Sequence, residues 1–422
     1  SYTQQYANIY FLRLTLLRPR VEEAARRKWK DYQPNGPRTK LSMSRVLDIQ
    51  TDQTTWIVGT IFADMSLKPN VLHDLQSEMN LSKPHTQPFY YHEGDDVYIE
   101  DESGRVKLWG KLPQSDMVTG IVLAVLGKAN DDGEFIVEEI CRPGAPPNPT
   151  PEVVSKDNGK GKSLALLSGL AFGSPASCGL HYQLLEEYLQ GDLGSREDQT
   201  ACTSMVRLMI AGNSVDASSS TSTPNPPSGD KSYGLKRQKF NAKPTHLLDN
   251  FLMSVSSSMP IDILPGETDP AVYALPQPPL HHVLLPQASL TSTVHRRINP
   301  HWSEVEGRCI LTMSGRSLDD LCRYSLAEDK MDEKDKNLLE WNHLTPTAPD
   351  TLTCFPFQDR EPFFLDRLPH ILIIGNQPEF ATTLYHGQGS DVCRIILLPK
   401  FADTGILVSV ELSTLDVTIR CF

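Results

Sequence analysis

Apolar residues at three- and four-residue spacing open the chain: Tyr6, Ile9, Tyr10, Leu14 and Leu17. That period predicts an amphipathic helix, because residues three and four apart share one face. Pro19 is expected to stop or kink it, and Val21–Lys30 reads as a second, basic helical stretch. From about Thr54 to Ile140 the pattern changes to that of strands. Trp56, Val58, Ile61 and Phe62 lie in a β-rich run, Asn70–Met79 fits a short helix, and Val97–Glu100 leads through a Ser103-Gly104 turn into Arg105–Leu112. Val118–Leu126 reads as a buried strand, and Asp132-Gly133 as the hairpin before Phe135–Ile140.

About five strands closed by hairpins suit a small oligonucleotide/oligosaccharide-binding (OB) barrel, though the period alone also fits other small barrels. Pro143, Pro146, Pro147, Pro149 and Pro151 follow, then a Gly/Lys-rich stretch to Lys162. Such a run holds neither a helix nor a central strand and makes an extended spacer. Beyond it strands and helices alternate. Ser163–Phe172, Val206–Ala211, Ile261–Leu264, Arg308–Ser314, Ile371–Ile374, Ile395–Leu398 and Ile406–Leu412 read as strands, Leu180–Leu189 and His246–Val255 as helices. Asp216–Asp230 is a Ser/Thr/Pro tract with nothing to bury. The expected organisation is a helical segment (1–50), a barrel (51–142), a linker (143–162) and an α/β domain (163–422) with a mobile insertion at about 216–240.

Composition adds limits. Apolar residues are 39% and charged residues 22% of the chain, which excludes wholesale disorder. No apolar run has the length of a membrane span, and the polar opening from Ser1 gives no expectation of secretion. The net charge of −12 is uneven. Residues 1–50 hold ten basic and four acidic side chains, residues 51–145 seven and sixteen, and the remainder 23 and 32. Phosphate neutralisation supplies most nucleic-acid affinity, so the acidic parts argue against a DNA-binding face. Arg26, Arg27, Lys28 and Lys30 read as a solvated helix face. Lys236, Arg237 and Lys239 read as a solvated loop in preference to a nuclear-import signal. The eight cysteines contain no Cys-x-x-Cys pair, so buried thiols in a reducing compartment are expected, with no metal at cysteine.

In an α/β domain chemistry collects at the C-terminal ends of strands. A two-metal phosphoesterase needs Asp, His and Asn ligands there. The loops present are Ser168-Gly169-Leu170, Gly212-Asn213, Gly266-Glu267-Thr268-Asp269-Pro270, Ser314-Gly315-Arg316 and Gly375-Asn376-Gln377-Pro378. No Asp-x-His, His-x-His or Gly-Asn-His occurs, and the adjacent His281-His282 pair is a poor chelate better read as structural.

The order of these loops resembles the calcineurin-type metallophosphoesterase domain of the B-family small subunits of replicative DNA polymerases. Pro265–Pro270, Leu275-Pro276-Gln277, Pro279-Leu280-His281, Pro346–Leu352, Gln5–Tyr10, Ala211-Gly212-Asn213 and Gly375-Asn376 carry the likeness, and within the family the Pro265–His281 tract points to the polymerase delta branch over alpha and epsilon. The likeness spans the chain apart from the linker and insertion. It implies an OB barrel followed by a calcineurin-like β-sandwich flanked by helices. In active relatives the loops bind metals; here Ser168 and Leu170 stand for Asp-x-His, and Asn213 for the Asp of Gly-Asp. Glu267, Thr268 and Asp269 follow Gly266 in place of Asn-His-Asp, Ser314 replaces a lone His, and Asn376 and Pro378 replace both His of Gly-His-x-His. Asp269 and Asn213 remain possible ion contacts. No cofactor and no catalytic residue is expected.

The resemblance further implies a nuclear, non-catalytic scaffold. Its partners would be the cysteine-rich C-terminal metal module of the polymerase delta catalytic subunit, a third subunit and, through that one, the sliding clamp. The interface residues are not legible. Two other readings compete: a working metal-dependent phosphodiesterase or nuclease, and an autonomous single-strand DNA binder. The barrel offers Trp56, Phe62, Tyr98, Trp109 and Phe135 for the latter, but they fall at strand positions where core packing is the commoner role, and a protein-binding barrel is favoured.

Overall fold

The computed structural model describes residues 5–32, 41–51, 53–68, 89–92, 94–113, 116–149, 161–175, 179–216, 241–325, 331–387 and 389–422. The Asn70–Met79 helix, most of the linker, the Ser/Thr/Pro insertion from 217 and the Lys236, Arg237, Lys239 cluster lie outside the described residues. The chain forms two compact units. One comprises Ser1–Asn148, Ser317–Leu368 and His386–Asp391; the other comprises Pro149–Arg316, Pro369–Tyr385 and Val392–Phe422.

In the first unit, helix α1 (Ala7–Lys28) continues through Pro19, where the sequence pattern predicts a stop or a kink. A mid-helix proline costs about 3 kcal/mol. Burial outweighs it: Leu14 and Leu17 before the proline, and Val21, Ala25 and Trp29 after it, share one core with Trp56, Val58, Val122, Ala124 and Leu126. Each large apolar side chain buried there contributes roughly 1.5–3 kcal/mol.

Strands β1 (Thr55–Asp64), β2 (Asp96–Glu100), β3 (Arg105–Gly110), β4 (Val122–Ala129) and β5 (Phe135–Cys141) close a barrel in the order β1-β2-β3-β5-β4. The length of β1 allows the closure, because it pairs with β4 along Thr55–Thr60 and with β2 along Thr60–Asp64. β4 starts later than the apolar run from Val118 because Gly120 takes left-handed backbone (φ +92°). A Cβ there would meet the Pro346 carbonyl oxygen at 2.0 Å.

Alternation along the strands corrects the reading of the barrel aromatics. Trp56 and Phe135 are buried, but Phe62 and Tyr98 are half-buried and Trp109 is 50% exposed. The inward positions of those strands belong to Ile61, Ala63, Val97, Ile99, Val106 and Leu108. With a period of two, their neighbours must face out. The Arg105 guanidinium lies 4.6 Å from the Phe62 ring centre, and the Lys107 ammonium 4.9 Å from that of Trp109.

Residues 317–368 group with the barrel, although the sequence pattern gives no reason to part them from the rest of 163–422. Polar anchors explain the grouping. Arg142 reaches Asn337 (2.9 Å) and Glu340 (2.6 Å) and pairs with Asp116. Lys68 pairs with Asp350. Fully buried Arg13 donates to the carbonyls of Gly120 (3.2 Å), Pro346 (2.7 Å) and Ala348 (2.9 Å) and faces Glu361 at 3.4 Å.

The second unit holds β6 (Ser163–Leu167), β7 (Met205–Ala211), β8 (Ile261–Leu264), β9 (Val294–Arg296), β10 (His301–Val305), β11 (Arg308–Met313), β12 (Ile371–Gln377), β13 (Ala381–His386), β14 (Val392–Pro399), β15 (Ile406–Glu411) and β16 (Val417–Cys421). They form a six-stranded sheet, β16-β15-β6-β7-β8-β9, and a five-stranded sheet, β10-β11-β12-β14-β13. Leu164, Leu166, Met209 and Val408 of the first sheet share a core with Ile310, Ile371, Ile373 and Ile396 of the second, so the sheets pack face to face. The alternate residues of the six-stranded sheet, Ala165, Leu167, Leu208 and Ile210, pack on helices α2 (Leu180–Gln190) and α3 (Lys243–Val255) through Leu185, Leu189, Leu248 and Phe251. Both faces of that sheet are therefore buried, which is why its central strands read as continuous apolar runs.

Candidate functional site: the loops at the strand ends

The parallel strands β6, β7 and β8, and β11 with β12, place their C-terminal loops together. Glycine makes the approach close. A Cβ on Gly375 would lie 2.3 Å from the Ala211 carbonyl oxygen and 3.1 Å from the Ser168 Cβ, so only glycine fits.

Most polar side chains of these loops bond to backbone groups of neighbouring loops, while the buried Asn376 Oδ1 has no hydrogen-bond partner among the described residues. The Ser168 hydroxyl accepts the Asn376 backbone N–H (3.0 Å) and lies 3.0 Å from the Pro399 carbonyl oxygen, to which it donates. Asn376 donates its amide to the carbonyls of Ala211 (3.0 Å) and Ser314 (2.9 Å). The Asn213 side-chain oxygen accepts the Thr268 N–H (3.2 Å), and the Thr268 hydroxyl donates to the Val215 carbonyl (2.7 Å). Asn299 donates to the Ser314 hydroxyl (2.7 Å) and to Gln277 Oε1 (2.8 Å), and accepts the Ser314 N–H (3.1 Å).

Asp269 is the buried carboxylate of the cluster. Its Oδ1 accepts the Val215 N–H (2.7 Å) and its Oδ2 the Gly266 N–H (2.8 Å). Burial pushes its pKa up to about 6, against the pull of those N–H groups. Both oxygens thus hold the β7 and β8 loops in place. The cluster brings together Ser168, Asn213, Thr268, Asp269, Ser314 and Asn376. It leaves out Leu170, which is fully buried in the apolar core against α2 and α3, and Glu267 and Pro378, which are exposed. Among the described residues no group of three or more His, Cys, Asp or Glu could hold a metal ion. His281 and His282 are exposed, their ring centres 4.3 Å apart, and His281 Nδ1 accepts the Val283 N–H at 3.3 Å.

Asn299 escaped the sequence reading. Its one local signal is the following Pro300, and its partners lie 15 and 22 residues away in the chain.

Comparison with known proteins shows the family of the chain. A family model described as the DNA polymerase delta subunit OB-fold domain matches residues 5–140, and the model for the B subunits of DNA polymerases alpha and epsilon matches residues 164–382. The DNA polymerase delta small subunit of Arabidopsis thaliana is 38% identical over 417 residues, covering 98% of this chain and 90% of its own length. The chain belongs to the DNA polymerase delta small-subunit family. The rice member (Oryza sativa subsp. japonica) is 36% identical over 99% of this chain and 93% of its own. The Saccharomyces cerevisiae member is 32% identical over 99% and 89%. The barrel of this small subunit is therefore an OB fold. The strand-end loops lie wholly within the second of the two matched regions, which ends four residues beyond Pro378.

Proposed function

We propose that this small subunit is a non-catalytic scaffold of the polymerase delta holoenzyme. In this reading it bridges the cysteine-rich C-terminal module of the catalytic subunit and a third subunit that reaches the sliding clamp, in the nucleus. Its second unit is a calcineurin-like phosphoesterase sandwich whose loops have exchanged metal chemistry for structure. One observation carries the proposal: both Asp269 oxygens and the Asn376 amide N–H groups hold backbone groups in a buried network, and at its solvent edge the Asn213 side-chain oxygen holds the Thr268 N–H. A dinuclear centre needs several hard, anionic donors free to turn toward the ions. Neutral Ser168, Asn213, Ser314 and Asn376 do not supply them, and Leu170 and Pro378 have no side-chain donor.

Two measurements test it. Copurification from cell extract with mass spectrometry is expected to return the polymerase delta catalytic subunit and a third subunit; their absence overturns the scaffold assignment. Hydrolysis of bis-p-nitrophenyl phosphate with added manganese is expected to stay at background. Turnover that survives purification and disappears in Asp269→Ala, with that variant still folded by circular dichroism, overturns the loss of chemistry.

A further inference from the structure

Within the first unit, α1, the outer side of the barrel around β1 and residues 100–105, and residues 349–350 line a groove of about 660 Å³. Tyr10, Phe11, Leu14, Ile61, Phe62 and Pro349 line it. Phe11 is 60% exposed at its mouth. Phe11 continues the apolar lining of Tyr10, Leu14, Ile61, Phe62 and Pro349 out to the surface, and a contiguous exposed apolar patch is what marks an interaction site.

The rim is acidic. Glu100, Asp101, Glu102 and Asp350 stand around it. Three cations answer them: Arg105 pairs with Glu100, Arg18 with Glu102 and Lys68 with Asp350. Asp101 instead accepts backbone N–H groups of Val46 (3.0 Å), Ser103 (2.7 Å) and Gly104 (3.0 Å), which leaves one carboxylate in excess. Tyr10 senses this field. Burial raises its pKa, and Asp350 and Glu100 add to the rise against Arg13. The pairs are partly exposed, and such pairs contribute only about 0–1 kcal/mol each. An incoming cation can therefore exchange with the resident one.

We propose that this groove docks an extended segment of a partner protein that carries a large apolar side chain next to a lysine or arginine. The apolar side chain fills the space beside Phe11 and Phe62, and the cation meets the rim at Glu100 and Asp101. The same rim disfavours other occupants. Nucleic-acid phosphate would be repelled, and a second copy of this chain would bring two acidic rims together. Extended peptides with an apolar anchor and a flanking charge are read by such grooves in many folds.

Selection of short random displayed peptides on the full chain, with the Phe11→Asp chain as a parallel target, tests this without knowing the partner. Phe11 is exposed, so the variant is expected to fold. Enriched peptides are expected to hold Trp, Phe or Leu beside Lys or Arg. A synthetic peptide from that pool should lose affinity by at least about tenfold on Phe11→Asp, the size of a typical anchor residue, and also as salt rises. Glu100→Gln, which keeps the side-chain shape, should weaken it less. No enrichment, enrichment of acidic peptides, equal binding by Phe11→Asp, or displacement of the peptide by oligothymidylate would each overturn the proposal.

Discussion

Arg13→Met is expected to destabilise the barrel unit by about 3–5 kcal/mol, the cost of breaking one side of a fully buried ion pair. Methionine keeps most of the aliphatic volume, so the loss reports polar contacts and not a cavity. Three carbonyls, of Gly120, Pro346 and Ala348, lose their donor, and Glu361 is left opposite no cation. These carbonyls come from the β4 entry and from residues 346–348, so one side chain ties α1, the barrel and the 317–368 excursion together. Chemical denaturation followed by hydrogen exchange in α1 and residues 343–361 measures it. Adding Glu361→Gln should recover part of the loss, because the unpaired buried charge is then removed. A cost below about 1 kcal/mol, the range of an ordinary neutral hydrogen bond, would show that Arg13 is not the tie.

That tie was invisible in the sequence, where Arg13 sits among Leu14, Leu17 and Val21 as an apparent interruption of an apolar stripe. Nothing local announces that a helix arginine will meet carbonyls more than 300 positions away. The central strands were legible for the opposite reason. β6, β7, β8, β12 and β14 are buried on both faces, so each reads as an apolar run. The four strands that the pattern missed, β9, β10, β13 and β16, are the four edges of the two sheets. An edge strand is wetter and carries polar residues, as in His301–Val305 and Val417–Cys421, so its period fades. Pro19 misled because a local cost was set against packing that lies elsewhere in the chain. At the strand ends, Gly212 (φ 82°), Asn213 (φ 53°) and, at the end of β12, Asn376 (φ 59°) take positive-φ backbone, which favours glycine and asparagine. What each amide would hold was not legible, since the partners come from other strands.

The two units are expected to answer acid in opposite directions. His343 is fully buried, and burial, then the Arg13 charge, lowers its pKa to about 4 from an ordinary 6.5. Its Nδ1 accepts the Thr345 N–H (3.2 Å), so the neutral ring carries its proton on Nε2, 3.3 Å from Glu361. Between pH 6.5 and about 4 the unfolded chain binds a proton that the folded barrel unit refuses. Stability therefore falls as pH drops through that window, by on the order of 3 kcal/mol in full. Asp269 has the reverse sign. Its folded pKa of about 6 lies above the ordinary 3.8, so the folded second unit holds a proton that the unfolded chain has released. That unit gains stability as pH falls from about 6 toward 3.8 and loses on the order of 3 kcal/mol on the way back up. A whole-molecule melt would sum these opposing contributions with those of every other titrating group. Hydrogen exchange resolved by segment, corrected for the intrinsic pH dependence of exchange, separates them. From pH 7 to pH 5, protection in α1 and the barrel should fall while protection in β7 and β8 should rise. His343→Gln should remove the acid loss in the barrel unit and leave the second unit unchanged. If both units lose protection together, the buried charges balance differently from this geometry.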